Sequence, residues 1–234
     1  DNPQQEIIVG ASESMSKSKK NTIDPEKIND KFIKKDSPDT IVKVGPSESM
    51  SKSKKNTIDP EEIIKNYGAD SVRLFILSDS PPEKDVQWSE EGIASSFKFI
   101  QKLWNLNSKI LDEIKKNHEN DFDDAIIKYT NKFLKNITDN LENFSYNKII
   151  ANLHEMYTFF SKQINNNYKK DTLIENYKKI LTASMPVTPH LSNECLKLLN
   201  VRDIRWPSFD EKMLVENFIN IVVQVNGKKR GIIS

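Results

Sequence analysis

The chain has 234 residues, enough for one large domain or two small ones with a buried core. Its 35 Lys and Arg residues balance 34 Asp and Glu residues, so net charge gives no general attraction to nucleic acid. The single cysteine, Cys195, excludes an internal disulfide and fits a reducing compartment. No apolar run approaches the roughly 20 residues of a membrane span. The low glycine content, the abundant lysine, asparagine and isoleucine, and the 36% of hydrophobic residues lead us to expect a mainly helical cytoplasmic protein.

A repeated segment opens the chain, because residues 12–26 recur without change as residues 47–61. After the second copy, Asp59 as N-cap and Pro60 at the first helical position predict a helix that Gly68 ends. After the first copy, the pattern predicts a helix over residues 26–32 followed by a loop. We therefore interpret the second copy as the integrated one, and residues 1–43 as a duplicated, poorly packed segment.

Apolar residues at three- and four-residue spacing predict helices through most of the remaining chain. Asp70 is expected to cap a short helix, and five longer helices are predicted at about 89–111, 123–141, 145–164, 171–183 and 191–199. This pattern is typical of an antiparallel helix bundle. Trp88 and Trp104 are expected to be core residues, and the alternative is that RNA bases stack on them.

The period changes near the end of the chain, where residues 218–225 form a β-rich run closed by Asn226 and Gly227. The sequence stops at Ser234, so we expect a truncated β hairpin. The predicted fold class is mainly α, with a helix bundle preceded by the repeated loop and followed by this hairpin.

The second copy of the repeat contains hydroxyl and ammonium groups suited to a triphosphate. Ser49, Met50, Ser51, Lys52 and Ser53 precede two further lysines, and such groups can bind phosphate oxygens and offset charge as pyrophosphate leaves. By composition alone, a solvated loop, a nuclear-import signal or an RNA-backbone patch explains the same residues.

The string Ser49-Met50-Ser51-Lys52-Ser53 resembles the KMSKS signature of class I aminoacyl-tRNA synthetases, with Ser49 in place of the first lysine. The resemblance implies that Lys52 contacts the phosphates of ATP and that the other loop residues complete the ATP-binding site. Lys17 would be its duplicate in the first copy.

Residues 67–75 resemble the helix after this signature in the leucine, isoleucine, valine and methionine enzymes, and residues 186–191 resemble a stretch of the helical anticodon-binding domain. The stretches that resemble the leucyl branch in particular are residues 80–81, 86–88, Gly92, 206–207 and 223–230. The resemblance implies the end of a catalytic domain over residues 44–88, a helical anticodon-binding domain over residues 89–205, and the truncated start of a C-terminal tRNA-binding domain over residues 206–234.

The implied activity is ligation of leucine to its tRNA with ATP, through leucyl-adenylate. ATP with magnesium would be a substrate, and a tRNA for leucine the partner of a monomeric enzyme. The chain contains no His-x-Gly-His string, so ATP and leucine would need a catalytic core outside it, and we assign no catalytic residue. The alternative is a stand-alone, non-catalytic tRNA-binding module from a split or duplicated gene.

Candidate contacts outside the loop are few. Lys228, Lys229 and Arg230 follow the predicted turn without a nearby acid, which fits either a patch that contacts tRNA phosphates or a solvated end of the chain. Arg73 lies on an otherwise apolar helix, which favours a buried ion pair or an RNA contact. His190 follows a proline at a helix start, where a structural hydrogen bond is expected. The scattered histidines lack the close spacing of zinc ligands, so no metal site is predicted.

Overall fold

The computed structural model describes part of the chain with side chains and part as backbone only. Side chains are described for residues 49–53, 57–78, 81, 83–116, 125–166 and 168–214, and the backbone alone for residues 7–9, 25–28, 31–34, 37–44, 124, 221–225 and 228–233. The chain divides into two compact units, one of residues 1–68 and 86–94 and the other of residues 69–85 and 95–234.

The first unit contains a four-stranded sheet of β1 (Ile7–Val9), β2 (Pro25–Ile28), β3 (Lys31–Lys34) and β4 (Ser37–Val44). Its strand order is β1-β4-β3-β2, with β1 parallel to β4 and the other pairs antiparallel. The helix predicted over residues 26–32 is therefore wrong. The β-branched and aromatic residues of β3 and β4 favour strands, and pairing partners outside the segment override its local helical pattern.

The helix after the second copy is confirmed as α1 (Pro60–Tyr67). The Asp59 carboxylate accepts a hydrogen bond from the backbone N–H of Glu61 at 3.0 Å, and Pro60 occupies the first turn. Gly68 ends the helix with a φ of 80°, and its N–H donates to the carbonyl of Ile64 at 2.8 Å. These local signals are sufficient to define both ends of the helix.

The predicted short helix and the five longer helices after it are confirmed. The helices are α2 (Ala69–Ser78), α3 (Glu90–Lys115), α4 (Asp124–Glu142), α5 (Tyr146–Gln163), α6 (Lys170–Ser184) and α7 (Pro189–Leu198), followed by a 3-10 helix at Glu211–Leu214. Their apolar faces share one core, which includes Leu106, Ile110, Ile126, Ile137, Leu153, Phe160, Leu173 and Ile180, each at most 2% exposed. Burial of each such side chain contributes about 1.5–3 kcal/mol relative to exposure.

Trp104 departs from its predicted place in this core, since 39% of its surface is exposed. It lies beside the buried Leu103 on α3, and on a helix one residue step turns a side chain by about 100°. The apolar pattern of α3 is wide enough to include Trp104, but the bundle covers only part of that face. Trp88 is partly buried.

The segment after α7 runs along α4. The Asp210 N–H donates to Oδ1 of Asn131 at 2.6 Å, and Nε1 of Trp206 donates to Oγ1 of Thr138 at 3.4 Å.

Two further strands, β5 (Ile221–Val225) and β6 (Lys228–Ile233), pair antiparallel where the sequence predicts a hairpin. Among the described residues, no helix has the length and apolar character needed to cross a bilayer.

Candidate functional site

The signature-like loop presents its lysine to solvent. Lys52 and Ser53 are exposed, and Met50 is 44% exposed. The hydroxyls of Ser51 and Ser53 lie 2.7 Å apart, so a hydrogen bond joins the residues on either side of Lys52. This arrangement leaves the Lys52 ammonium on a short turn in front of the capped helix α1, where a phosphate can approach it.

The other residues predicted for the site are described less fully. Lys17 lies outside the described residues. Lys228, Lys229 and Arg230 lie on β6, where the backbone pairs with β5 but the side chains are not described. Their proposed roles toward ATP and tRNA stay predictions.

A second polar constellation centres on Asp70, whose surface is 5% exposed. Its carboxylate accepts hydrogen bonds from the backbone N–H groups of His190 at 3.2 Å and Leu191 at 2.7 Å. Nδ1 of His190 lies 2.8 Å from the same carboxylate. Asp70 therefore caps α7, whereas the prediction that it caps its own helix is wrong, because its oxygens turn toward a helix 120 residues away in sequence.

Arg73 lies one turn along α2 from Asp70. Its guanidinium donates to the carbonyl of Val187 at 3.3 Å and to the carbonyl of Pro186 at 2.5 Å. The side chain is exposed, so the predicted buried ion pair is wrong. The structural hydrogen bond expected of His190 is confirmed. The sequence analysis did not predict that Asp70 and Arg73 contact residues 186–191. Its only signal for these contacts was two charged residues three positions apart on an apolar helix.

The outer face of α5 carries a shallow groove of about 430 Å³, lined by His154, Glu155, Thr158, Phe159 and Lys162. The ring of His154 stacks on Phe99 with centroids 3.7 Å apart. Burial, and secondarily the positive charge of Lys102, lower the pKa of His154.

No group of three or more His, Cys, Asp or Glu side chains among the described residues could hold a metal ion.

Two families match this chain. Residues 34–89 match the family described as tRNA synthetases class I (I, L, M and V), and residues 123–234 match the anticodon-binding domain of tRNA ligase. The first region contains the loop, α1 and α2, and the second contains α4 to α7.

Individual relatives give the same assignment. The chain is 41% identical over 237 residues to the leucine–tRNA ligase of Orientia tsutsugamushi, and 35% identical over 242 residues to that of Bartonella quintana. Each match covers 97% of this chain but 23% of the relative, so the chain spans under a quarter of the length of these relatives.

A solved structure shares the fold. It is the ternary complex of the Agrobacterium radiobacter K84 agnB2 LeuRS with tRNA and LeuAMS, with a TM-score of 0.66 and 21% identity. The similarity covers 85% of this chain and 27% of the other. Residues on both sides of α3 thus match domain families of tRNA synthetases, and this chain is similar along nearly its whole length to leucine–tRNA ligases.

Proposed function

We propose that this chain is the part of a leucine–tRNA ligase that supplies the ATP-phosphate loop and tRNA-binding helices. The observation that carries the proposal is the loop at Ser49–Ser53, which leads into a capped helix inside a region matching the class I synthetases. The complete enzyme joins leucine to ATP, releases pyrophosphate, and transfers leucine from leucyl-adenylate to tRNA. It acts as a cytoplasmic monomer.

Lys52 is proposed to bind the phosphates of ATP. When the leucine carboxylate attacks the α-phosphorus, the bond to the bridging oxygen breaks and negative charge accumulates on the departing pyrophosphate. A positioned ammonium stabilises that charge more in the transition state than in bound ATP. Ser49, Met50, Ser51 and Ser53 give the loop a small, polar surface around this ammonium. Magnesium enters with ATP as part of the substrate.

The helices are proposed to bind the tRNA for leucine. The family match over residues 123–234 supports this role, and α4 to α7 lie within the matched region. Lys228, Lys229 and Arg230 are proposed to contact phosphates, since cations on a strand can follow an RNA backbone.

A chimeric enzyme tests the proposal. The matching segment of the Orientia tsutsugamushi ligase, 41% identical, is replaced by this chain, with the unaltered Orientia enzyme as the control. We expect leucine-dependent ATP–pyrophosphate exchange and leucylation of tRNA, with no exchange dependent on isoleucine or valine. An inactive chimera beside an active parent contradicts the proposal and favours a stand-alone tRNA-binding module, which a tRNA-affinity measurement on the isolated chain then examines.

A further inference from the structure

We infer that Asp70 and Arg73 are positioning residues for the tRNA-dependent step. Together they hold the turn before α7 and the first residues of α7, residues 186–191, against α2, and we call this set of contacts the α2–α7 clamp. The inference rests on the proposed function, because it assigns a task within tRNA leucylation.

The Asp70 half of the clamp replaces a local helix cap. Thr188 is the N-cap residue of α7, and its side chain makes no cap hydrogen bond. The first turn of a helix leaves backbone N–H groups without intrahelical partners and carries a partial positive charge. The buried Asp70 carboxylate satisfies two of these groups, at His190 and Leu191, and places its negative charge at the positive end of the helix.

The Arg73 half binds the opposite kind of backbone group. Its guanidinium donates to the carbonyls of Pro186 and Val187, immediately before α7. A guanidinium presents its donors in a rigid planar fork, so two adjacent carbonyls fix its direction as well as its distance. Asp70 supplies acceptors to the first residues of α7, and Arg73 supplies donors to the turn before it. These two sets of hydrogen bonds therefore oppose rotation of the turn about α2.

Apolar packing alone would not give this precision. Leu74 on α2 and Val187 in the turn are buried, but the hydrophobic effect depends on area and has no preferred direction. Hydrogen bonds weaken steeply when their angles change. The clamp therefore adds orientation to a contact that burial already favours.

The location of the clamp gives it a functional meaning. Asp70 and Arg73 lie in the region matching class I synthetases, whereas the turn lies in the region matching anticodon-binding domains. Leucylation requires tRNA on the helices while its end reaches the reaction centre, whereas adenylate formation requires no tRNA. Loss of the clamp is thus expected to affect only the second reaction.

The test uses Asp70→Asn and Arg73→Lys in the chimeric enzyme. The first keeps the shape but replaces one carboxylate oxygen with an NH2 group, and the second keeps the charge but loses the fork. Matched controls are Asp171→Asn and Arg202→Lys, both at exposed positions outside the clamp. We expect kcat/KM for tRNA to fall about tenfold to a hundredfold in the clamp variants, since small misplacements far from the chemistry have effects of this order.

Adenylate formation separates positioning from folding. We expect leucine-dependent ATP–pyrophosphate exchange and the KM values for ATP and leucine to stay unchanged in the clamp variants. Equal losses in both reactions, or unchanged leucylation, would overturn the inference. Leucylation by Arg73→Lys at the rate of the unsubstituted chimera would also overturn it, because the positive charge without the planar fork would then be sufficient. An unsubstituted chimera inactive in both reactions would instead count against the proposed function.

Discussion

Lys52 is the residue on which the proposed ATP chemistry depends. It is exposed in a loop that leads directly into the capped helix α1. Lys17 stands at the same place in the first copy, but residues 25–28, which begin at the end of that copy, form a strand instead of a capped helix. The two copies therefore have the same sequence, but the described residues at the ends of the two copies differ in secondary structure.

Alanine substitution at each lysine distinguishes the copies. In the chimeric enzyme, Lys52→Ala is expected to reduce kcat/KM for amino-acid activation by an amount equivalent to about 2–4 kcal/mol, typical of a lost preorganised donor. Lys17→Ala is expected to leave activation unchanged. Pyrophosphate-exchange kinetics provide the measurement. Equal losses, or a larger loss at Lys17, would show that the first loop is the working one.

His154 gives the helical unit a dependence on pH. Burial, and then Lys102, lower the pKa of His154, so the folded chain binds this proton less readily than the unfolded chain. The stability associated with the neutral ring is complete above the unfolded pKa of about 6.5 and declines as pH falls through that value toward the folded pKa.

His154→Phe isolates this effect, because phenylalanine keeps a ring for stacking on Phe99 but cannot take up a proton. Urea unfolding of both proteins at about pH 8 and about pH 5 brackets the usual pKa of histidine. We expect the unfolding free energy to fall less on acidification in the variant than in the unsubstituted chain. The same decline in both would show that other groups account for the pH dependence.

At the scale of elements, the end of α1 depends on one backbone conformation. Gly68 has φ 80° and ψ 152°, a region that only glycine occupies readily. A Cβ added there would meet no atom within 4 Å, so any cost of substitution comes from the backbone rather than from a clash.

Gly68→Ala is therefore expected to reduce the unfolding free energy by about 1–3 kcal/mol, despite the open space around it. Denaturant unfolding measures this change. The control is Lys65→Ala in the last turn of α1, an exposed position where a shift within about 0.5 kcal/mol is expected. A Gly68→Ala variant as stable as this control would show that another conformation ends the helix at no cost.

At the scale of the whole molecule, the chain spans 23% of the length of the leucine–tRNA ligases quoted above. Its match to the class I synthetase family extends over residues 34–89, and its sequence contains no His-x-Gly-His string. Under the proposed function, it supplies a loop and helices to a reaction whose amino-acid and adenosine contacts lie outside these residues.

We therefore expect the isolated chain to show no leucine-dependent ATP–pyrophosphate exchange under conditions in which the chimera is active. Radiolabelled pyrophosphate incorporation into ATP, compared with a buffer blank, makes the measurement. Exchange above the blank would contradict the division of tasks, because it would place a complete activation site within these 234 residues.

The sequence by itself determined the features that depend on neighbouring residues. The spacing of apolar residues indicated the helices, since one buried face imposes a period of 3.6 residues. Asp59, Pro60 and Gly68 indicated both ends of α1, because capping acts within one turn. The string around Lys52 indicated the resemblance to class I aminoacyl-tRNA synthetases, because its five residues are contiguous in the sequence.

Only the tertiary structure decided the features whose partners lie far away along the chain. Asp70 caps a helix 120 residues later, and β4 pairs in parallel with β1 across the first repeat. Trp104 is exposed because the bundle covers only part of its helix face. A local sequence pattern indicates the conformation that a residue favours, whereas the packing of the fold determines which distant backbone groups it contacts. The contacts of the α2–α7 clamp depend on that packing.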